Sequence, residues 1–92
     1  MTKVLLHIDR DNNIVFDCQN HADDYDVCTI VSTLCNVLVA ESFRLGKEPT
    51  IYNKGHVRID LPYSEKAFEV FAAVEEAMHQ AASQHPEHIK IY

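Results

Sequence analysis

The chain has 92 residues and a mass of 10.5 kDa, which is enough for one small domain. Apolar residues make up 47% of it and charged residues 24%, a balance typical of a soluble globular protein rather than a disordered one. Eight basic residues against fourteen acidic ones give a net charge of −6, and the basic residues form no run, so we expect no direct binding of nucleic acid. We predict a single domain over residues 1–92, with an acidic surface that suits a basic protein or peptide partner.

No apolar run approaches the ~20 residues that a membrane-spanning helix needs, so we expect no membrane contact. The first residues begin directly with a strand-like pattern and show no secretory signal, which favours a cytoplasmic protein. Three cysteines, an odd number, argue against a disulfide framework. Cys18, His21 and Cys28 could be read as three zinc ligands, but their spacing fits no common zinc module, so we expect neither a metal nor another cofactor.

The first elements in chain order are two strands and a helix. Alternating apolar residues at 3–9 and 14–19 flank a turn rich in Asp and Asn, which predicts a β-hairpin. A polar loop over residues 20–26 then leads into residues 27–45, which contain no Gly or Pro and carry apolar side chains at helical spacing. We predict a helix there that is apolar around most of its circumference and largely buried. Gly46 lies just beyond its expected end.

A second hairpin, a second helix and a closing strand follow. Residues 50–52 and 56–61 flank a turn that contains Gly, which predicts the hairpin. Ser64 can cap a helix that runs to about Gln84 and has an apolar stripe for the core. Residues 88–92 form the closing strand. The order β-β-α-β-β-α-β predicts an α+β two-layer sandwich, with a mainly antiparallel sheet and two helices packed on one face.

His21 and Cys28 stand at the two ends of the loop before the first helix and are the candidates for chemistry. If Asp26 caps that helix, Cys28 is its second residue, where the positive end of the helix dipole favours the thiolate. A thiolate is the reactive form, and histidine is its usual proton partner. The alternative is that Cys28 is a structural residue that only packs in the core, which is the role we expect for Cys18 and Cys35.

The segments around these residues resemble a known signature. His21-Ala22, an acidic loop, Asp26-Val27-Cys28 and then Ser32 are similar to the signature of the ribosomal-processing cysteine protease family, Prp. That signature is Gly-His-Ala, a mobile loop, and Asp-Ile-Val-Cys-Ala-x-x-Ser. The second hairpin, the Phe/Met-rich helix and residues 84–91 also look like the tail of that family. The resemblance therefore covers nearly the whole chain.

The resemblance implies a small homodimeric cysteine protease of the bacterial cytoplasm that acts in ribosome biogenesis. Such a hydrolase removes an N-terminal extension from a large-subunit ribosomal protein, and some members cleave phage capsid or scaffold proteins. It implies a catalytic dyad of Cys28 and His21, with Ser32 in helix packing or loop support. We expect backbone N–H groups around Cys28 and Thr29 to stabilise the oxyanion.

The chain departs from the signature at several positions. Asn20 stands where the family has Gly, Thr29 where it has Ala, and Asp26 two residues before the cysteine rather than three. The loop is also several residues shorter, which suggests a divergent member, such as a phage-encoded one, with another substrate. The alternative function is a non-catalytic homodimeric protein-binding module of the same fold.

Overall fold

A computed structural model describes residues 1–20 and 24–92. The elements follow the predicted order, and their bounds are β1 (Thr2–Ile8), β2 (Asn13–Gln19), α1 (Tyr25–Arg44), β3 (Ile51–Asn53), β4 (His56–Pro62), α2 (Glu65–Gln84) and β5 (Ile89–Ile91). The strands form one five-stranded sheet in the order β3-β4-β2-β1-β5. Three of the neighbouring pairs are antiparallel and the β1–β5 pair is parallel, so the sheet is mainly antiparallel as predicted.

The two hairpins follow from turn chemistry. Between β1 and β2, the Asp9 carboxylate accepts hydrogen bonds from the backbone N–H groups of Asp11 and Asn13, both at 2.9 Å, and Asn12 adopts a positive φ of 62°. Between β3 and β4, Gly55 supplies a φ of 92°. The strands can therefore reverse direction within a few residues and remain paired.

The core lies between one face of the sheet and the two helices, which pack against each other on that face. Alternate residues of each strand point into it, as the period of two requires. Phe16 of β2 and Phe71 of α2 meet edge to face with ring centroids 6.3 Å apart, which ties the sheet to α2. The other fully buried large apolar side chains of this core are Val4, Ile14, Val27, Leu38, Ile59 and Met78.

The sequence correctly predicts both ends of α2 and the glycine that follows α1, but not the residue that caps α1. Ser64 caps α2 as expected, its hydroxyl accepting from the N–H of Ala67 at 3.2 Å, and α2 ends at Gln84. Gly46, with φ +80°, follows the end of α1 as expected. The prediction that Asp26 caps α1 is wrong, because Asp24 is the cap and the helix begins at Tyr25.

Helix α1 is long and apolar enough, by length and composition alone, to cross a membrane, contrary to the expectation from the sequence. A core helix of a soluble protein has the same properties. Val27, Val31, Cys35, Leu38 and Val39 of α1 are all buried in the core of this domain. Packing explains only part of the apolar character of the helix, and the prediction that it is largely buried is wrong, because 39% of its apolar window is buried.

The helix-free face of the sheet carries a chain of polar contacts. Asp17 of β2, almost fully buried, accepts from Gln19 at 3.1 Å and lies 3.0 Å from Nε2 of His56 on β4. Arg58 forms a two-pronged ion pair with Asp60, with N–O distances of 2.9 and 3.1 Å. The contact between Asp17 and His56 joins β2 to β4 on the side away from the helices, whereas the other two contacts lie within one strand.

Candidate active site

A cavity of about 260 Å³ lies between the N-terminal half of α1 and the β3–β4 hairpin. Cys28, half-buried, lies on its α1 wall, and Ser32 follows one turn later on the same wall. Cys18 and Cys35 also line the cavity, but both are buried, at 5% and 4% exposure. Of the three thiols, Cys28 is therefore the most accessible to a molecule that enters from solvent.

The start of α1 fixes the position of Cys28. The Asp24 carboxylate accepts hydrogen bonds from the N–H groups of Asp26 and Val27, at 2.9 and 3.2 Å, and thereby caps the helix. The N–H of Cys28 donates to the carbonyl oxygen of Asp24 at 2.9 Å, which is the first hydrogen bond of the helix. Cys28 is thus the fourth helical residue, not the second.

Two expectations change with this position. The dipole effect fades within the first turn, and the carboxylates of Asp24 and Asp26 lie at the positive end of the helix. Cys28 lies at the end of the first turn and not at the second helical position that the sequence predicts. The N–H groups of Cys28 and Thr29 belong to the hydrogen-bond ladder of α1, so they are not available to an oxyanion.

His21 lies within residues 21–23, outside the described part of the chain. Its neighbour Asn20 is described and lines the cavity together with Cys28. Two hydrogen bonds fix the backbone of Asn20: its N–H donates to the carbonyl of Gly55 at 2.8 Å, and its carbonyl accepts from the hydroxyl of Thr2 at 3.2 Å. The last described residue before His21 thus lies at the cavity that Cys28 also lines.

The conformation of Asn20 accounts for one departure from the family signature. Asn20 has φ +70°, in the left-handed region that glycine adopts freely and that asparagine tolerates better than most residues. Asparagine is therefore a chemically reasonable replacement for the glycine of the signature at this position.

Cys18 and Cys35 form the base of the cavity and have the structural role predicted for them. A hydrogen bond with Cys18, together with burial, raises the pKa of the Cys35 thiol far above its ordinary value of 9.0, so this thiol stays protonated. Among the described residues, which include all three cysteines, no disulfide forms. Ser32 is exposed at the cavity and so does not pack in the core, while its expected role in loop support stays a prediction.

Several residues that line the cavity cannot be predicted as site residues from the sequence. Thr2 from β1 and Tyr52 from β3 both line the cavity although they lie 50 positions apart in the chain. Tyr52 also bridges to α1, where its hydroxyl donates to Oδ1 of Asn36 at 3.4 Å. The alternation of β3 and β4 places Tyr52 on the helix side of the sheet, but no motif marks it as a site residue.

No metal centre is evident in the part of the chain that the structure describes, where no group of three or more His, Cys, Asp or Glu side chains is placed to hold an ion. The zinc alternative requires His21, which lies outside that part.

Comparisons with known proteins bear on the fold. No protein-family model and no curated protein matches the chain. Among solved structures, it is similar to the essential ribosomal processing protease Prp from S. aureus in complex with a covalently linked product peptide. The TM-score is 0.79 and the sequence identity 19%, over 99% of this chain and 97% of that one.

Two further structures show the same likeness. Prp from S. aureus in complex with a substrate peptide matches with a TM-score of 0.79 at 17% identity, over 100% of this chain and 98% of the other. SMU.848 from Streptococcus mutans matches with a TM-score of 0.73 at 24% identity, over 99% and 91%. The resemblance to Prp that the sequence shows is thus confirmed at the level of the fold, over the whole chain.

Proposed function

We propose that this chain is a cysteine endopeptidase that removes an N-terminal extension from a large-subunit ribosomal protein, as Prp does. The observation that carries the proposal is the cavity, where a half-buried Cys28 shares the walls with Asn20, the residue before His21. The whole-chain fold likeness to Prp, whose solved structures hold a substrate peptide and a covalently linked product peptide, supports it. No comparison supports a phage capsid or scaffold substrate.

In this mechanism, Cys28 is the nucleophile and His21 transfers the proton. The sulfur of Cys28 attacks the carbonyl carbon of the scissile bond, and its proton passes to His21. His21 then delivers the proton to the leaving amine, which breaks the C–N bond and leaves a thioester on Cys28. Water hydrolyses the thioester, which restores the thiol and releases the second product as a carboxylic acid.

The oxyanion of the tetrahedral intermediate needs a donor other than the Cys28 N–H, which is bonded to Asp24. Asn20 lines the same cavity, and a side-chain amide is a donor of the kind that serves in oxyanion holes. We assign the stabilisation of the oxyanion to Asn20.

The charge of the site suits a basic substrate segment. Asp24 and Asp26 are exposed at the start of α1, next to the wall that carries Cys28, and the chain as a whole has a charge of −6. Opposite charge accelerates the encounter of a cationic peptide with such a site. A basic extension of a ribosomal protein in the cytoplasm has this property.

The test is the dependence of Cys28 reactivity on His21, because accessibility alone makes Cys28 react faster than the buried Cys18 and Cys35. We would measure iodoacetamide labelling of Cys28 by mass spectrometry across pH 5–9 in the wild type, His21→Ala and a matched control, His79→Ala. His79 is exposed on α2, away from the cavity. If the dyad forms, His21→Ala lowers the labelling rate at neutral pH at least about tenfold and His79→Ala does not.

The same proteins would be incubated with a ribosomal precursor protein, with cleavage followed by mass spectrometry. We expect Cys28→Ser to abolish cleavage and Cys18→Ser to retain it per folded molecule. Equal labelling in His21→Ala and wild type, together with no cleavage, would favour the non-catalytic binding module. Stoichiometric zinc in the purified protein would favour a metal site instead.

A further inference from the structure

Tyr52 closes one side of the cavity. It lies on β3, which pairs only with β4 in the described sheet and therefore forms its edge. Tyr52 is paired with Val57, whose side chain packs against the core, so both point to the helix side. The hydroxyl of Tyr52 reaches Oδ1 of Asn36 on α1, 3.4 Å away. The tyrosine thus spans the gap between the sheet edge and the helix.

The space behind Tyr52 has the size and polarity for one uncharged side chain. Its volume of about 260 Å³ lies below the ~300–1,000 Å³ of pockets that hold whole small-molecule ligands. Cys18, Val31 and Cys35, all buried, line its interior. A charged group inserted there would lose its hydration without gaining an opposite charge from these three side chains.

We propose that Tyr52 determines the specificity of the site, because its ring and its bridge to Asn36 limit the size of the substrate side chain that can enter beside Cys28. This inference rests on the proposed peptidase function. Tyr52 and Cys28 line the same cavity from opposite walls, one on β3 and one on α1. A side chain next to a scissile bond held at Cys28 therefore meets Tyr52 as it enters.

The hydrogen bond between Tyr52 and Asn36 is weak enough to break when a substrate enters. This single bond is long, and the Tyr52 side chain is 57% exposed, so water competes for both partners. The ring itself blocks the larger area. Removing only the hydroxyl should therefore loosen the limit, and removing the ring should abolish it.

A chemical experiment measures this limit without using peptidase activity. The reactivity of Cys28 toward iodoacetamide and toward a naphthyl-substituted iodoacetamide would be compared in the wild type, Tyr52→Phe and Tyr52→Ala. Because the ratio of the two rates cancels changes in thiol chemistry, it reports the room beside Cys28. We expect Tyr52→Ala to raise the ratio in favour of the bulky reagent about tenfold or more, and Tyr52→Phe to raise it less.

The control is Tyr92→Ala, since Tyr92 is similarly exposed, at 60%, and follows β5 at the opposite edge of the sheet. Asn36→Ala tests the bridge from α1 and keeps the proposal testable if Tyr52→Ala does not fold. An unchanged ratio in the Tyr52 variants, or in Asn36→Ala where Tyr52→Ala fails to fold, would overturn the inference.

Peptide substrates then separate this inference from the function on which it rests. A peptide series that varies one residue on each side of the cleavage point should show relaxed size selection at one position in Tyr52→Ala. If the reagent ratio changes but no protein cleaves any peptide, the size limit set by Tyr52 is supported and the proposed peptidase function fails. If peptides are cleaved with unchanged selection, the function stands and the role of Tyr52 is refuted.

Discussion

Asn20 holds its backbone in a left-handed conformation, φ +70°, and both its peptide groups are hydrogen-bonded, to Gly55 and to Thr2. A residue with a Cβ pays about 1–2 kcal/mol for this conformation, asparagine less than most and glycine least. The sequence comparison with the family signature marks this position as a departure. The structure shows that the departure leaves the required backbone geometry accessible.

The stability of variants at Asn20 should therefore depend on how readily the new residue adopts the left-handed backbone conformation. We expect Asn20→Gly to keep the free energy of unfolding close to that of the wild type, and Asn20→Ala to lower it by about 1 kcal/mol. Urea unfolding followed by circular dichroism measures both. An Asn20→Ala protein as stable as the wild type would show that the left-handed conformation is not required there.

At the scale of elements, Asp60 links the two sides of the β3–β4 hairpin through a hydroxyl hydrogen bond and forms an ion pair within β4. Asp60 of β4 accepts from Arg58 and, at 2.7 Å, from the hydroxyl of Thr50 just before β3. The hydrogen bond from Arg58, the largest effect, lowers the pKa of Asp60 below its ordinary value of 3.8. A carboxyl group with a lowered pKa stabilises the fold when it is ionised.

Asp60 should therefore contribute to a loss of stability in acid. Its contribution is fully present above about pH 5 and disappears as the pH falls through 3.8 to its lower pKa in the folded state. We expect Asp60→Asn to be less stable than the wild type by about 1 kcal/mol at pH 7, with a difference that shrinks below pH 4. Urea unfolding at several pH values measures it, with Asp11→Asn in the exposed first turn as a control. A difference independent of pH would contradict this assignment.

The helices and strands can be predicted from the sequence more reliably than the side-chain contacts between them. Hydrophobic period and turn residues are local signals, so the seven elements and their order can be derived from them. The sequence does not locate the cap of α1, because Asp24 and Asp26 are both good caps and only backbone geometry selects between them. The bridge between Tyr52 and Asn36 joins residues on separate elements and has no local signal.

At the scale of the whole molecule, α1 presents apolar side chains on two sides. One side lies in the core, while Ile30 and Val37 on the outer side are 40% and 46% exposed. These residues lie seven apart, two turns along one face of the helix. Exposed apolar rows of this kind are typical of contacts between subunits. We propose that the outer side of α1 joins two copies of the chain.

A homodimer should therefore be disrupted by charge on this face. We expect light scattering at micromolar concentration to give twice the mass of 10.5 kDa for the wild type, and a mass near 10.5 kDa for Val37→Lys. Ile8→Lys, at an exposed isoleucine on β1, should leave the mass of the dimer unchanged. A wild-type particle of 10.5 kDa would refute the dimer.

The parallel pairing of β5 with β1 gives the site an order of assembly during synthesis on the ribosome. Thr2, whose hydroxyl holds the carbonyl of Asn20 at the cavity, also donates its backbone N–H to the carbonyl of His88 at 2.8 Å. Until residues 88–91 have left the ribosomal exit tunnel, β1 has an open edge and Thr2 lacks one of its two anchors. The part of the cavity wall formed by Thr2 and Asn20 therefore gains its last anchor only when β5 pairs with β1, after nearly the whole chain has been synthesised.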